Sequence, residues 1–161
     1  MLFEFIENND VKEPQQWCEF SPGVKFLIYG LNRASFRRAL DLQNSNTALE
    51  RADITLITNE SAKKADRDFG LTVGYHLVGG WTGVATKDLP ELERNKKNVE
   101  KIFCDSTVAS ALVAFVIQQA TRIQNEANQQ MRVDVGKSQP STSSQADTLG
   151  SQTTKKRKEK R

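Results

Sequence analysis

Few residues in this 161-residue chain have the types and spacing of a reactive site. The single histidine, His76, stands beside Leu77 on the flank of a helical pattern, without a nucleophile in a recognisable turn such as G-x-S-x-G. Asp66 and Asp68 form a D-x-D pair. On a helix, residues two apart do not share a face, so the pair reads as solvated surface rather than a metal or acid–base site. The glycine-rich stretch Gly79-Gly80-Trp81-Thr82-Gly83-Val84 has no P-loop lysine and follows no predicted strand, which leaves phosphate binding unsupported. Cys18 and Cys104 are far apart and in no metal or redox spacing, and both are expected reduced and packed. The expectation is a protein without catalysis, cofactor or metal.

What remains are residues suited to binding or to packing. Trp81 either plugs a small core or presents its ring to a partner, since tryptophan is common in both roles. Gly83 and its neighbouring glycines let the backbone turn sharply beneath that ring. Arg33, Arg37 and Arg38 lie mostly opposite Phe36 on a short helix and are candidates for fixing the register of a partner. In the tail, Lys155, Lys156, Arg157 and Lys158 form a basic run. It suits an electrostatic arm, a localisation signal or simply a solubilising end.

The elements that must position these residues follow from periodicity. Gln15–Phe20 and Val24–Leu31 flank Ser21-Pro22-Gly23, a turn signal between β-prone runs, and so predict a hairpin. Residues 2–6, Leu-Phe-Glu-Phe-Ile, are a weaker candidate for a third strand. A short helix follows, with Asn32 as its expected N-cap, and then a polar loop from Gln43 to Asp53. From Thr58, the apolar series Ala62, Ala65, Phe69, Val73, Leu77 predicts a helix through Val78, stopped by Gly79-Gly80. Gly70 and Gly74 are expected to weaken it by roughly 1 kcal/mol each. Asp88-Leu89-Pro90-Glu91 has the form of a capping box and predicts a helix from there to Phe103, burying Val99, Ile102 and Phe103. Asp105-Ser106 is read as the cap of a last helix with the apolar stripe Val108, Leu112, Val116, Ala120, Ile123, Ala127. The fold class is α+β, mainly helical: an N-terminal β-hairpin, three to four packed helices and a disordered C-terminal tail.

Composition divides the chain. Residues 136–161 hold one bulky apolar side chain, Leu149, and are expected to be disordered. They carry 7 of the 23 Lys and Arg and 2 of the 20 Asp and Glu, leaving 16 basic and 18 acidic groups on residues 1–135. The calculated pI of 8.9 therefore belongs to the tail. A slightly acidic body argues against sequence-specific nucleic-acid reading by the fold. No basic start or apolar core of a signal peptide opens the chain, and the apolar run from Ala111 to Ile117 is too short to span a bilayer. A soluble, cytosolic protein without membrane contact is expected.

The layout from residues 20 to 127 resembles the tail assembly chaperones of long-tailed bacteriophages. The resemblance rests on the strand and arginine-bearing helix Gly23–Leu40, and on the tryptophan motif Trp81-Thr82-Gly83-Val84 after a helix. It also rests on a Pro90-containing link, on an asparagine (Asn95 or Asn98) in the next helix, and on the closing helix Ala111–Ala127. The family's acidic, glycine-rich turn is here Ala85–Arg94, without glycine. The resemblance implies a chaperone-like domain over residues 1–135 that coats the long helical tape measure protein, keeps it soluble and recruits tail tube subunits. It implies work in the host cytoplasm and departure before the virion is complete. Self-association is compatible with it. Many such chaperones also have a longer form made by ribosomal frameshifting, for which Lys155, Lys156 and Lys158 are compatible with A-rich codons. The competing readings are a structural tail-completion or connector component, and a nucleic-acid binder acting through the basic tail.

Overall fold

The structure, a computed structural model, describes residues 12–137. The expected third strand at residues 2–6 lies outside the described residues, as does the expected disordered tail of residues 136–161 apart from residues 136 and 137, which instead end the last helix.

Strand β1 (Gln15–Ser21) and strand β2 (Val24–Tyr29) form the expected hairpin, turning at Pro22-Gly23, where Gly23 takes φ 80°. Proline followed by a left-handed glycine is the signature of a tight type II turn. Alternation sends Cys18, Phe26 and Ile28 inward and leaves Trp17 outside and half exposed. Helix α1 (Ala34–Asn46) follows, then a short helix α2 (Ala48–Ala52) and a 3₁₀ turn (Ile54–Leu56). Two expectations are corrected here. Residue 33 rather than 32 occupies the cap of α1, with no side-chain cap bond, and Asn32 lies one residue earlier with its backbone N–H held by Gln124 Oε1 at 3.2 Å. The polar loop expected over residues 43–53 is largely helical. Gln43 reaches across to the Ala65 carbonyl at 3.3 Å, so its polar side chain ties α1 to the next helix instead of marking a loop.

Helix α3 (Asn59–His76) starts at Thr58, whose side chain accepts from Ser61 N–H while Ser61 Oγ accepts from Thr58 N–H. This reciprocal cap was latent in the sequence, with serine in the place usual for glutamate. The apolar stripe is buried only in its second half: Val73 and Leu77 are fully covered, whereas Ala62 is exposed. The helix ends two residues before the expected Val78. Val78–Thr82 is strand β3, antiparallel to β2, with Phe26 opposite Trp81. The sheet therefore has three strands in the order β1-β2-β3. A helix stop and a strand start share the same glycines, and only pairing with β2 decides between them.

Residues 83–95 form a loop, followed by helix α4 (Lys96–Glu100), a π-helical segment (Lys101–Asp105) and the long helix α5 (Ala109–Lys137). The Asp88–Glu91 capping box does not nucleate a helix. Its flanks are spent elsewhere: Leu92 N–H bonds the Val84 carbonyl at 2.7 Å and Thr86 N–H bonds that of Leu89 at 2.9 Å. The working cap is Asn95, which accepts from Asn98 N–H at 2.9 Å. Val99, Ile102 and Phe103 are buried as expected. Ser106 does not cap α5 with its side chain, which instead donates to the Ile102 carbonyl at 2.6 Å. Val108, expected in the α5 stripe, lies before the helix and is about half exposed, while Leu112, Val116, Ala120 and Ile123 are buried.

Helix α5 packs on β1 and β2 and helix α3 on β3, and two glycines let α3 lie close to α4 and the π segment. A Cβ on Gly74 would meet Val99 Cγ1 at 2.7 Å and the Phe103 ring at 2.8 Å, and one on Gly70 would meet the Phe103 carbonyl at 2.7 Å. The expected weakening by these residues is thus exchanged for close packing of α3 on α4 and the π segment. Gly136, in the last turn of α5, has nothing within 4 Å of its would-be Cβ. Gly74→Ala is expected to destabilise by about 1–3 kcal/mol, despite alanine's better helix propensity. Gly136→Ala should leave stability unchanged or slightly raised; urea unfolding of both variants checks the opposite signs.

Candidate protein-binding surface

Trp81 ends the inner row of the sheet and is 7% exposed. Its ring meets Phe26 edge-on at 6.2 Å, and Phe26 in turn meets Phe20 at 6.2 Å and Phe103 at 6.4 Å. The indole N–H donates to the buried Leu92 carbonyl at 2.6 Å. Leu92 itself is buried, so the middle of the 83–95 loop is pinned to the sheet by both backbone and side chain. Gly83 starts that loop at φ 74°, and a Cβ there would sit 1.9 Å from the Gly23 carbonyl oxygen. No other residue fits where the loop leaves β3 against the hairpin turn. Trp81 therefore supports the surface from below, while Gly83 lies on it where the loop meets the hairpin turn.

Between this loop, the hairpin turn and the start of α5 lies an open groove of about 700 Å³. Phe20, Val24, Val84, Leu89, Ile102 and Leu112 line it, with Asp88 and Lys101 also contributing. Leu89 and Val108 stand at the groove while 52% and 46% exposed. Apolar walls with a few charges of both signs suit an amphipathic segment better than a small polar substrate.

The arginine-bearing helix takes a different part. Phe36 is core, 3% exposed. Arg33 stacks on the Tyr29 ring at 3.8 Å, pairs with Glu13 at 3.0 Å and donates to the His76 carbonyl at 2.8 Å. It thus clamps the end of α3, whose last carbonyls favour a cation. Arg37 and Arg38 are exposed. The structure therefore separates the sequence candidates: none of Arg33, Arg37, Arg38 and Phe36 lines the groove, and Lys155, Lys156, Arg157 and Lys158 lie outside the described residues.

Sequence reasoning passed over two other arginines. Arg94 donates through Nη2 to the Val78 carbonyl at 2.7 Å and to that of Tyr75 at 3.4 Å, holding the α3–β3 junction from the other side. Arg67 bridges Glu100 and Asp105, which joins α3 to both ends of the π segment. Nothing in their spacing announces these contacts, which span 16 to 38 residues.

The remaining reactive groups are held quiet. Burial pushes both thiols, Cys18 and Cys104, above the ordinary cysteine value, in the less nucleophilic protonated form. Burial, with the Arg33 charge added, lowers His76. Among the described residues no group of three or more His, Cys, Asp or Glu is placed to hold a metal, and no single helix is long and apolar enough to cross a membrane.

A family model described as YdaY prophage protein matches residues 31–137, the greater part of the chain. The chain belongs to that family and is phage-derived. The match takes in α1 to α5 and the groove loop, and leaves the hairpin outside. No curated protein and no solved structure matches the chain.

Two predictions follow from the Trp81 and His76 environments. Trp81→Phe keeps most of the ring but strips the Leu92 carbonyl of its donor, an expected loss of about 1–3 kcal/mol, against about 3–5 kcal/mol for Trp81→Ala. Denaturant titration of both variants separates the hydrogen bond from the packing. The lowered His76 means that the unfolded chain, titrating near 6.5, binds the proton more readily than the fold does. The contribution of His76 is full above that pH and declines as pH falls below it. His76→Gln should flatten the stability profile between about pH 7.5 and about pH 5.5, above the carboxylate range. An unchanged profile would assign the slope to other groups.

Proposed function

We propose that this member of the YdaY prophage protein family is a tail assembly chaperone, which binds apolar helical segments of the tape measure protein and keeps them soluble. The observation that carries the proposal is the open apolar groove held in shape by the Trp81–Leu92 contact. A tape measure protein offers long amphipathic helices, which aggregate when their apolar stripes are bare. A helix laid in the groove would set its anchors against Leu89, Val108 and Ile102, with Lys101 and Asp88 on hand for either sign of charge. Phage origin and the resemblance of residues 20–127 to such chaperones both favour this occupant. The protein works by binding and not by chemistry, in the host cytoplasm, and leaves before the particle is complete. Tail tube subunits are the second partner, recruited once the tape measure is coated.

Co-expression with the longest helical protein of the same prophage tests this reading. The partner is expected to be insoluble alone and to co-elute with the chaperone on size exclusion. Leu89→Asp and Val108→Asp change exposed side chains, so melting should hold while co-elution falls at least about 10-fold. Unchanged binding by both variants would remove the groove from the proposal. Recovery of the protein from purified virions in stoichiometric amount, with no tape measure binding, would replace a chaperone with a structural component.

A further inference from the structure

The π segment between α4 and α5 departs from ordinary helical geometry, and one side chain of α3 is placed to hold that departure. Arg67 donates through Nη2 to Glu100 and through Nη1 to Asp105 Oδ1 at 2.6 Å, while its own carbonyl accepts from the Cys104 thiol at 3.5 Å. Glu100 and Asp105 are five residues apart. On an α-helix such residues point about 140° away from each other, too far round for one guanidinium to take both. In a π-helix, with roughly 4.4 residues per turn, they lie about 50° apart and turn both carboxylates to one side. The rigid fork of arginine can then meet the two at once. Farther along the same face of α3, Gly70 and Gly74 leave room for the Phe103 carbonyl and ring. Ser106 Oγ closes the segment by donating to the Ile102 carbonyl at 2.6 Å.

The other side of this segment belongs to the groove, which Lys101, Ile102, Ser106 and Val108 help to line. We infer that Arg67 is a positioning residue for the groove: it selects the π over the α form of Lys101–Asp105 and so sets where Ile102 and Val108 stand. With Glu100 held in place, an α turn would leave Asp105 about 90° round from its present side and would carry the entry to α5 with it. Arg67 does not line the groove itself. It stands at a separate cavity between α3 and α5, beside Phe69, Cys104 and Val113. Its side chain is 41% exposed and those of Glu100 and Asp105 are 40% and 52% exposed, so the bridge is open to screening by salt. The shape of the groove thereby answers to charge at a place away from it. The inference concerns that shape alone and stands whichever partner fills the groove.

NMR of the full chain reads this without any partner, through the Ile102 and Val108 methyl signals and amide exchange over residues 101–106. A failure here is thus distinct from a failure of tape measure binding. Arg67→Met should speed that exchange at least about 10-fold and move both methyl signals. Its melting temperature should stay near the parent's, because exposed ion pairs contribute little to global stability. Arg67→Lys keeps the charge but lacks the fork, and should behave as Arg67→Met does. Raising NaCl from about 0.05 to about 1 M should move the parent's signals toward those of Arg67→Met and leave the variant's in place. Unmoved methyl signals in Arg67→Met, full recovery in Arg67→Lys, or an equal salt response in parent and variant would each overturn the inference. Should Arg67→Met fail to fold, the parent's salt response decides alone. Shifts confined to residues 100–108 uphold the inference, whereas no shift, or shifts spread over the whole fold, overturn it.

Discussion

The hydrogen bond from the Trp81 indole to the Leu92 carbonyl ties an irregular segment to the core of the sheet. Residues 83–95 have no regular structure, yet they form one wall of the groove. A buried carbonyl without a donor costs roughly 1–3 kcal/mol, so the indole adds to the Leu92–Val84 and Thr86–Leu89 backbone bonds in holding the loop in place. The indole is in turn fixed by Phe26, its partner across the sheet, and Phe26 is fixed by Phe20 and Phe103. Hairpin, loop and π segment are thereby coupled through one set of edge-to-face rings. The groove is a consequence of the core beneath it and not an addition to it.

The glycines and arginines divide the task of bringing α3 into this arrangement. Gly70 and Gly74 remove side chains where α3 must approach Val99 and Phe103, whereas Gly23 and Gly83 supply left-handed backbone where two turns meet. At the end of α3, Arg33 takes the His76 carbonyl and Arg94 takes those of Tyr75 and Val78. The helix therefore stops and the chain enters β3 with its carbonyls already satisfied, without a left-handed glycine cap. This is why Gly79 and Gly80 were free to serve the strand instead. A Cβ on Gly79 would meet Tyr29 Cε2 at 2.8 Å, so the absence of a side chain lets that ring lie across β3.

What was legible in the sequence was local. The hairpin, the start of α3 and the buried stripe of α5 each follow from a period or a cap spanning a few residues. Most of the misreadings fall where long-range partners decide. Val78–Thr82 becomes a strand because β2 lies alongside, and Asp88–Glu91 remains a loop because Trp81 and Val84 engage Leu92. Val108 continues the period of α5 but precedes its first turn, where no helix has yet formed to carry it inward. Arg67 and Arg94 were invisible for the same reason: their partners are backbone and carboxylate groups assembled only by the fold. The groove was the least legible feature, since it is made of ordinary apolar residues from the hairpin, the 83–95 loop, the π segment and α5 and is defined by the space between them.

The placement of the two exposed apolar surfaces on α5 bears on how they could act together. Val108 and Leu112 meet the groove at the N-terminal end of the helix, while Met131 and Val135 lie at the other. From Leu112 to Met131 the helix rises about 29 Å, so a segment held at one end does not crowd one held at the other. Because α5 is one continuous helix over that span, the two surfaces keep a fixed separation whatever each of them meets.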